Sequence, residues 1–319
     1  MKKCSFCGST TDERYVDGPN GVFICSECIR ICYLSITRNK SRKMGYEDLN
    51  RLLSELDSLT GLKTLKSEIL TLINQIKIAK TREEHGLSAV STSNHLVFMG
   101  NPGTGKTTVA RILAEIYCAL GVLSKGHLVE TDRSGLVAGY VGQTAIKTRD
   151  IADKAMGGIL FIDEAYSLSE EEKNSFGKEA IDTLLKIMED KREDFIVIVA
   201  GYPDEMKKFL KSNPGLESRF NNFINFEDYS ASELYEIFVG MCKKHKYVFE
   251  TAAMEPLAQY FADLYERKNR DANYANARDV RNFFEKTLKR QSNRLAPFSN
   301  NLTSEELVTI TKEDLFSDI

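Results

Sequence analysis

Residues Gly100-Asn101-Pro102-Gly103-Thr104-Gly105-Lys106-Thr107 fit the pattern G-x-x-x-x-G-K-[ST] at every fixed position. That pattern works only between a buried strand and a helix. His95 to Met99 is a short apolar run that reads as the strand. From Thr108 to Leu120, apolar residues recur at helical spacing (Val109, Ile112, Leu113, Ile116). Gly103 and Gly105 let the backbone curl so that its N–H groups face phosphate oxygens, and the helix N-terminus adds partial positive charge. Lys106 is placed for the β- and γ-phosphates, and the Thr107 hydroxyl for Mg²⁺. A glycine-rich turn before an ordinary helix is the alternative, and the complete motif in this context speaks against it.

Downstream, Ile159 to Ile162 is a four-residue apolar strand ending in Asp163 and Glu164. A buried strand would project both acids beside the phosphate loop, Asp163 toward Mg²⁺ and Glu164 toward the attacking water. Further strands are expected over Gly126–Glu130, Phe195–Gly201 and Phe223–Phe226, with a helix over Glu179–Glu189. Strand–helix alternation of this kind predicts an α/β fold, a parallel sheet covered on both faces. Earlier, Tyr46–Leu59 and about Lys63–Glu84 read as helices, and Ser88–Asn94 as a polar loop. Three more helices follow the sheet, over Ser230–His245, Glu255–Lys268 and Ala277–Leu295. The first carries a capping box, Ser230 with Glu233. Leu307–Leu315 closes the chain with a short strand and a capped turn. Expected bounds are 1–40 for an N-terminal module, 41–58 for a linker and lead-in helix, 59–228 for the nucleotide-binding part and 229–319 for a helical lid.

Two exposed features stand out. Tyr140 and Val141 lie between Gly139 and Gly142 in the loop Gly135–Thr144, where an aromatic has no regular element to pack into. They read as a loop gripping polypeptide in the centre of a ring, against the plainer reading of a Tyr at the core's edge. Arg219 precedes the last strand and, from the residues alone, reads as a surface Arg paired with Glu217 or another carboxylate.

Five of the seven cysteines fall in the first 32 residues. Cys4/Cys7 and Cys25/Cys28 form two C-x₂-C knuckles separated by 17 residues, the spacing of a closed Cys₄ zinc site. A redox pair or free thiols are the competing readings. Cys32 falls on the helix expected over Ile29–Ile36 and reads as a core residue. So small a segment cannot bury enough core to fold alone, and structural zinc supplies on the order of 10 kcal/mol or more. Residues 1–43 are basic, which leaves nucleic acid open as a partner. The whole chain carries a net charge of −3, which speaks against it. No apolar run reaches transmembrane length and no signal peptide begins the chain, so a cytoplasmic protein is expected.

The knuckle residues Cys-Ser-Phe-Cys-Gly, the Gly18-Pro19 turn and Val-Phe-Ile-Cys-Ser-Glu-Cys-Ile resemble the zinc-binding domain of the ClpX unfoldase over about residues 1–38. The resemblance implies a small, often dimeric module that recruits substrates or adaptors. Residues from about 55 to 315 resemble the CbbX/SpoVK branch of AAA+ ATPases. The carriers are the phosphate loop, Gly139-Tyr-Val-Gly-Gln-Thr-Ala, Ile162-Asp-Glu-Ala-Tyr-Ser-Leu, Val199-Ala-Gly-Tyr-Pro and Gly215-Leu-Glu-Ser-Arg-Phe. This implies a five-stranded AAA+ core with a helical lid, ATP and Mg²⁺ as ligands, a homo-oligomeric, hexameric ring, and ATP-driven remodelling of a protein. By the same resemblance Arg219 is an arginine finger and Tyr202 stands where a polar first sensor sits. Arg278, or Arg281 one turn on, is the second sensor. Leu59, Gly61 and Leu62 are candidate contacts to adenine. A nucleic-acid-acting ATPase and a nucleotide-switched scaffold are the alternatives.

Overall fold

The computed structural model describes residues 3–10, 15–17, 21–30, 48–88, 93–140, 142–169, 176–269 and 274–316. The expected linker Thr37–Gly45, Cys32, Val141 and the charged loop Glu170–Asn174 lie outside the described residues.

At the N-terminus, Tyr15–Asp17 (β1) and Phe23–Cys25 (β2) pair antiparallel, and 26–30 is helical. The main sheet has five strands: Leu96–Gly100 (β3), Leu128–Thr131 (β4), Ile159–Ile162 (β5), Ile196–Gly201 (β6) and Asn222–Phe226 (β7). Their order is β4-β5-β6-β3-β7, and every pair is parallel. The central strands are near-continuous apolar runs because both faces are covered. Alternate residues separate cleanly. Phe98, Phe161 and Ile198 face a core shared with Ile69 of Lys63–Glu84 and Val109 of Lys106–Ala119. Val97, Leu160 and Val199 face a second core with Leu184 of Phe176–Asp190 and Phe209 of Pro203–Lys211. Each fully buried side chain of this kind contributes about 1.5–3 kcal/mol.

The first core runs on into the lid. Helices Ala231–Lys244, Met254–Glu266 and Ala277–Leu295 close around Phe238, whose ring lies 5.6 Å from Phe261 and 5.2 Å from Phe283. The Ser230–Glu233 capping box forms as expected. Several elements lie beyond the sequence reading, the helix Gln143–Lys154 among them. Pro203–Lys211 and Pro214–Arg219 are short helices, each with Pro in its first turn. Val248–Phe249 (β8) pairs in parallel with Thr309–Ile310 (β9), tying the chain end to the lid.

One buried histidine pins the sheet beneath the site. His95 accepts a hydrogen bond from the Val197 N–H at 3.0 Å and also bonds the backbone of Met188. Burial, helped by the nearby Arg219 charge, pushes His95 down to about 4. The unfolded chain, with His near 6.5, therefore binds more protons between pH 6.5 and 4, so stability falls as pH drops through that window. The expected loss is about 3 kcal/mol. Urea unfolding at pH 7 and pH 4 should show a smaller pH difference for His95→Gln than for the wild type. Equal differences would contradict this account.

Candidate functional site

The phosphate loop leaves the carboxyl end of β3 at Gly100, packed so closely on β7 that an added Cβ would meet the Phe226 carbonyl at 2.5 Å. Gly103 (φ +71°) and Gly105 (φ +96°) occupy left-handed conformations that turn the chain back into the helix Lys106–Ala119. No side chain caps that helix, so its first N–H groups are free to receive an anion. Thr104 is buried and donates to the Asn101 carbonyl at 2.8 Å, holding the curl. Lys106 Nζ donates to the carbonyls of Gly100 and Asn101 at 2.8 and 2.9 Å. Burial pushes its ammonium down, while Asp163 pulls it up and Arg278 pushes it down again. The loop, the strand-end carboxylates and the lid arginine thus meet electrostatically at one lysine. Thr107 and Thr108 stand in the first turn of the helix. A cradle of uncapped N–H donors around a half-buried cation fits a nucleotide phosphate chain.

Asp163 and Glu164 follow β5. The Asp163 N–H donates to Thr131, and its carboxylate accepts the Glu164 N–H at 3.1 Å. Glu164 takes φ +48°, a conformation that costs of order 1–3 kcal/mol for a side-chain-bearing residue. Ser167 braces the turn, its N–H and hydroxyl both donating to the Glu164 carbonyl. Both acids line an open cavity of about 470 Å³ with Glu130, Asp132 and Ser134. This lining is rich in oxygen donors, the chemistry Mg²⁺ takes.

The lid meets the loop at a buried polar junction that sequence reasoning missed. Asp228 accepts from Asn101 Nδ2 at 2.9 and 3.0 Å, from Asn276 Nδ2 at 2.8 Å and from Lys268 Nζ at 3.0 Å. Burial alone would raise the Asp228 carboxyl, but these donors outweigh it and hold it below the usual range. Tyr229 donates its hydroxyl to the Thr104 carbonyl at 3.1 Å. The signal in the sequence was that Asn276 stands two residues before Arg278.

The remaining expected residues are dispersed around this centre. Tyr202 precedes the helix Pro203–Lys211, its ring 6.2 Å from Tyr166 on the turn after Glu164. Gly61 packs against Glu233, and Leu62 is buried in the first core. Arg278 opens the helix Ala277–Leu295, with Arg281 one turn on. Arg219 pairs with Glu189 at 3.2 Å, not with Glu217, and its Nε is buried without a partner. Tyr140 is 74% exposed.

In the N-terminal module, the Sγ atoms of Cys4, Cys7, Cys25 and Cys28 all lie within 4.8 Å of one another. Tetrahedral zinc at about 2.3 Å from each sulfur needs sulfurs about 3.8 Å apart. Cys7 and Cys25 already stand at 3.7 Å. Backbone hydrogen bonds from Cys7 and Cys25 hold the Cys4 thiol down to about 6, while hydrogen bonds with the Cys7 and Cys25 thiols push Cys28 up. Four sulfurs competing for negative charge are what a divalent cation relieves.

A phosphate loop and a strand-borne acidic pair on a parallel sheet, closed by a helical lid bearing an arginine, define a lidded P-loop ATPase. Residues 96–228 match the ATPase family associated with various cellular activities (AAA), residues 230–319 the AAA lid domain and residues 2–38 the ClpX C4-type zinc finger. The chain is 44% identical over 267 residues to stage V sporulation protein K of Bacillus subtilis, covering 84% of this chain and 82% of that one. It is 41% identical over 282 residues to a chloroplastic ribulose bisphosphate carboxylase/oxygenase activase of Cyanidioschyzon merolae (88% and 95% covered). It is 40% identical over 286 residues to protein CbxX of Cupriavidus necator (89% of each). The chain belongs to the AAA family of ATPases and carries a ClpX-type zinc finger. Among the described residues, no helix is long and apolar enough to cross a membrane.

Elemental analysis of the purified chain should find about one Zn²⁺ per chain, lost in Cys25→Ser. A metal-free wild type, or zinc kept by Cys25→Ser, would contradict the site.

Proposed function

We propose that this ATPase works as a ring of identical subunits, hexameric by resemblance, that pulls on a threaded protein segment. In this reading Lys106 holds the β- and γ-phosphates, and Thr107 and Asp163 hold Mg²⁺. Glu164 orients and polarises the attacking water, with Tyr202 as first sensor. Gly61 and Leu62 lie against adenine. Arg219 leaves Glu189 to reach the neighbour's nucleotide, and Arg278 links the γ-phosphate to the lid. The zinc module, residues 1–40, recruits substrate or adaptor, and 59–228 and 229–319 are the moving ATPase parts. One relative is named an activase of another enzyme, which supports action on proteins in general.

The observation that carries the reading is an exposed aromatic on a stiff mount. Lys147 Nζ donates to the carbonyls of Ser134 and Val137 at 2.6 and 2.9 Å. The Ala138 N–H donates to Thr144 Oγ1 at 3.1 Å, and Thr148 Oγ1 to the Leu136 carbonyl at 3.1 Å. Arg133 ties the same stalk to the Ser167 carbonyl, on the turn that begins at Glu164. Tyr140 stands at the end of this braced segment, fully presented. A surface tyrosine without function needs no such brace.

Glu164→Gln should retain ATP binding while turnover falls about 10²–10⁴-fold. A permanently unfolded polypeptide should stimulate the wild-type ATPase and form an ATP-dependent crosslink to it. Tyr140→Ala should abolish both responses, and Tyr140→Phe should restore them. Responses that survive Tyr140→Ala would remove the gripping role.

A further inference from the structure

We propose that Asn276 is a positioning residue for ATP turnover: it seats the lid helix Ala277–Leu295 on the phosphate loop and so sets where Arg278 lies. The proposal rests on the reading of Arg278 given above. The Asn276 side chain is spent on protein partners, and it acts through the arginine two residues on.

Every hydrogen-bonding position of the Asn276 amide is filled. Its Nδ2 donates to the Pro102 carbonyl at 3.2 Å and to Asp228 Oδ1 at 2.8 Å. Its Oδ1 accepts from the Tyr229 N–H at 3.0 Å and from the Tyr274 hydroxyl at 3.3 Å. A carbonyl can only accept and a backbone N–H can only donate, so the amide fits in one orientation. The partners come from three places: the phosphate loop, the joint between β7 and the lid, and the lead-in to the lid helix.

The backbone carries the second observation. Asn276 is fully buried and holds φ 50° with ψ −127°, a conformation that favours glycine. A side chain persists there only where its surroundings over-determine it, and four bonds to three elements do so. Such strain collects at functional joints.

Contact between loop and helix is also too close for independent movement. The Ala277 N–H donates to the Gly103 carbonyl at 3.1 Å. An added Cβ on Gly103 would meet the Ala275 carbonyl at 2.0 Å and the Arg278 nitrogen at 2.9 Å. Asp228 binds Asn101 Nδ2 as well as Asn276, so two consecutive loop residues, Asn101 and Pro102, report to the same junction. A shift of these loop residues therefore moves the start of the lid helix, and Arg278 with it.

The test uses the full chain. Asn276→Gly tolerates the backbone conformation and removes the four bonds; Asn276→Asp sets a second carboxylate against Asp228. Steady-state kcat and KM for ATP are measured with the affinity for a fluorescent ADP analogue. Asn276→Gly should lower kcat about 10–100-fold while analogue affinity stays within about threefold of wild type. Combined with Arg278→Ala, it should lower kcat no further than Arg278→Ala alone, because the two act as a unit. Asn276→Asp should be worse than Asn276→Gly, and Asp228→Asn should partly rescue it by restoring a donor–acceptor pair. A wild-type kcat in Asn276→Gly, or losses that multiply in the double variant, would overturn the proposal. Arg278→Ala alone tests the underlying reading: a wild-type kcat there removes the arginine's role, and the positioning claim with it.

Discussion

A triphosphate can be held by protein only where fixed donors replace the water it gives up. The rest of this structure follows from that requirement. Free N–H groups at the start of Lys106–Ala119 supply donors, but only because Gly103 and Gly105 turn the chain left-handed. The loop must leave a strand that cannot move, and β3 is flanked by β6 and β7 in a sheet buried on both faces. Parallel strands bring β5 to the same edge, which is why Asp163 and Glu164 act on the same lysine as the lid arginine. Even the lid shares the sheet's own core, so its aromatic cluster and the nucleotide site are parts of one packed body.

Much of this was legible in the sequence, for identifiable reasons. The loop and the acidic pair are motifs of contiguous residues, and the central strands are unbroken apolar runs. Long lid helices announce themselves by periodicity and by the Ser230 cap. What escaped is what depends on distance along the chain. Asn101 and Asp228 are 127 residues apart, and Asp228 and Asn276 are 48 apart, so no local pattern pairs them. The two-residue strand β8 is too short for any period, whereas its partner β9 falls within the short strand expected over Leu307–Leu315. The short helices 203–211 and 214–219 gave only a proline each as a signal. Sequence offered Glu217 or another carboxylate as a partner for Arg219, and folding selects Glu189, 30 residues away on the helix Phe176–Asp190.

The N-terminal module meets the stability problem differently. Among its described residues it has two three-residue strands, and Cys4 and Cys25 are the buried side chains, so its folding depends on the four sulfurs finding a cation. Its cysteines were legible because metal spacing is local. Its partner was not, because an exposed surface carries Phe6 and Val16 without saying what covers them.

The central claim is an active site shared between subunits, completed by Arg219 of a neighbour. The most direct measurement is ATPase rate per subunit across protein concentration, with native mass recorded on the same samples with and without ATP. The account predicts a rate that rises as the ring assembles, and an Arg219→Ala ring that assembles but turns over about 10³-fold or more slowly. A rate independent of concentration, carried by a monomer, would contradict it.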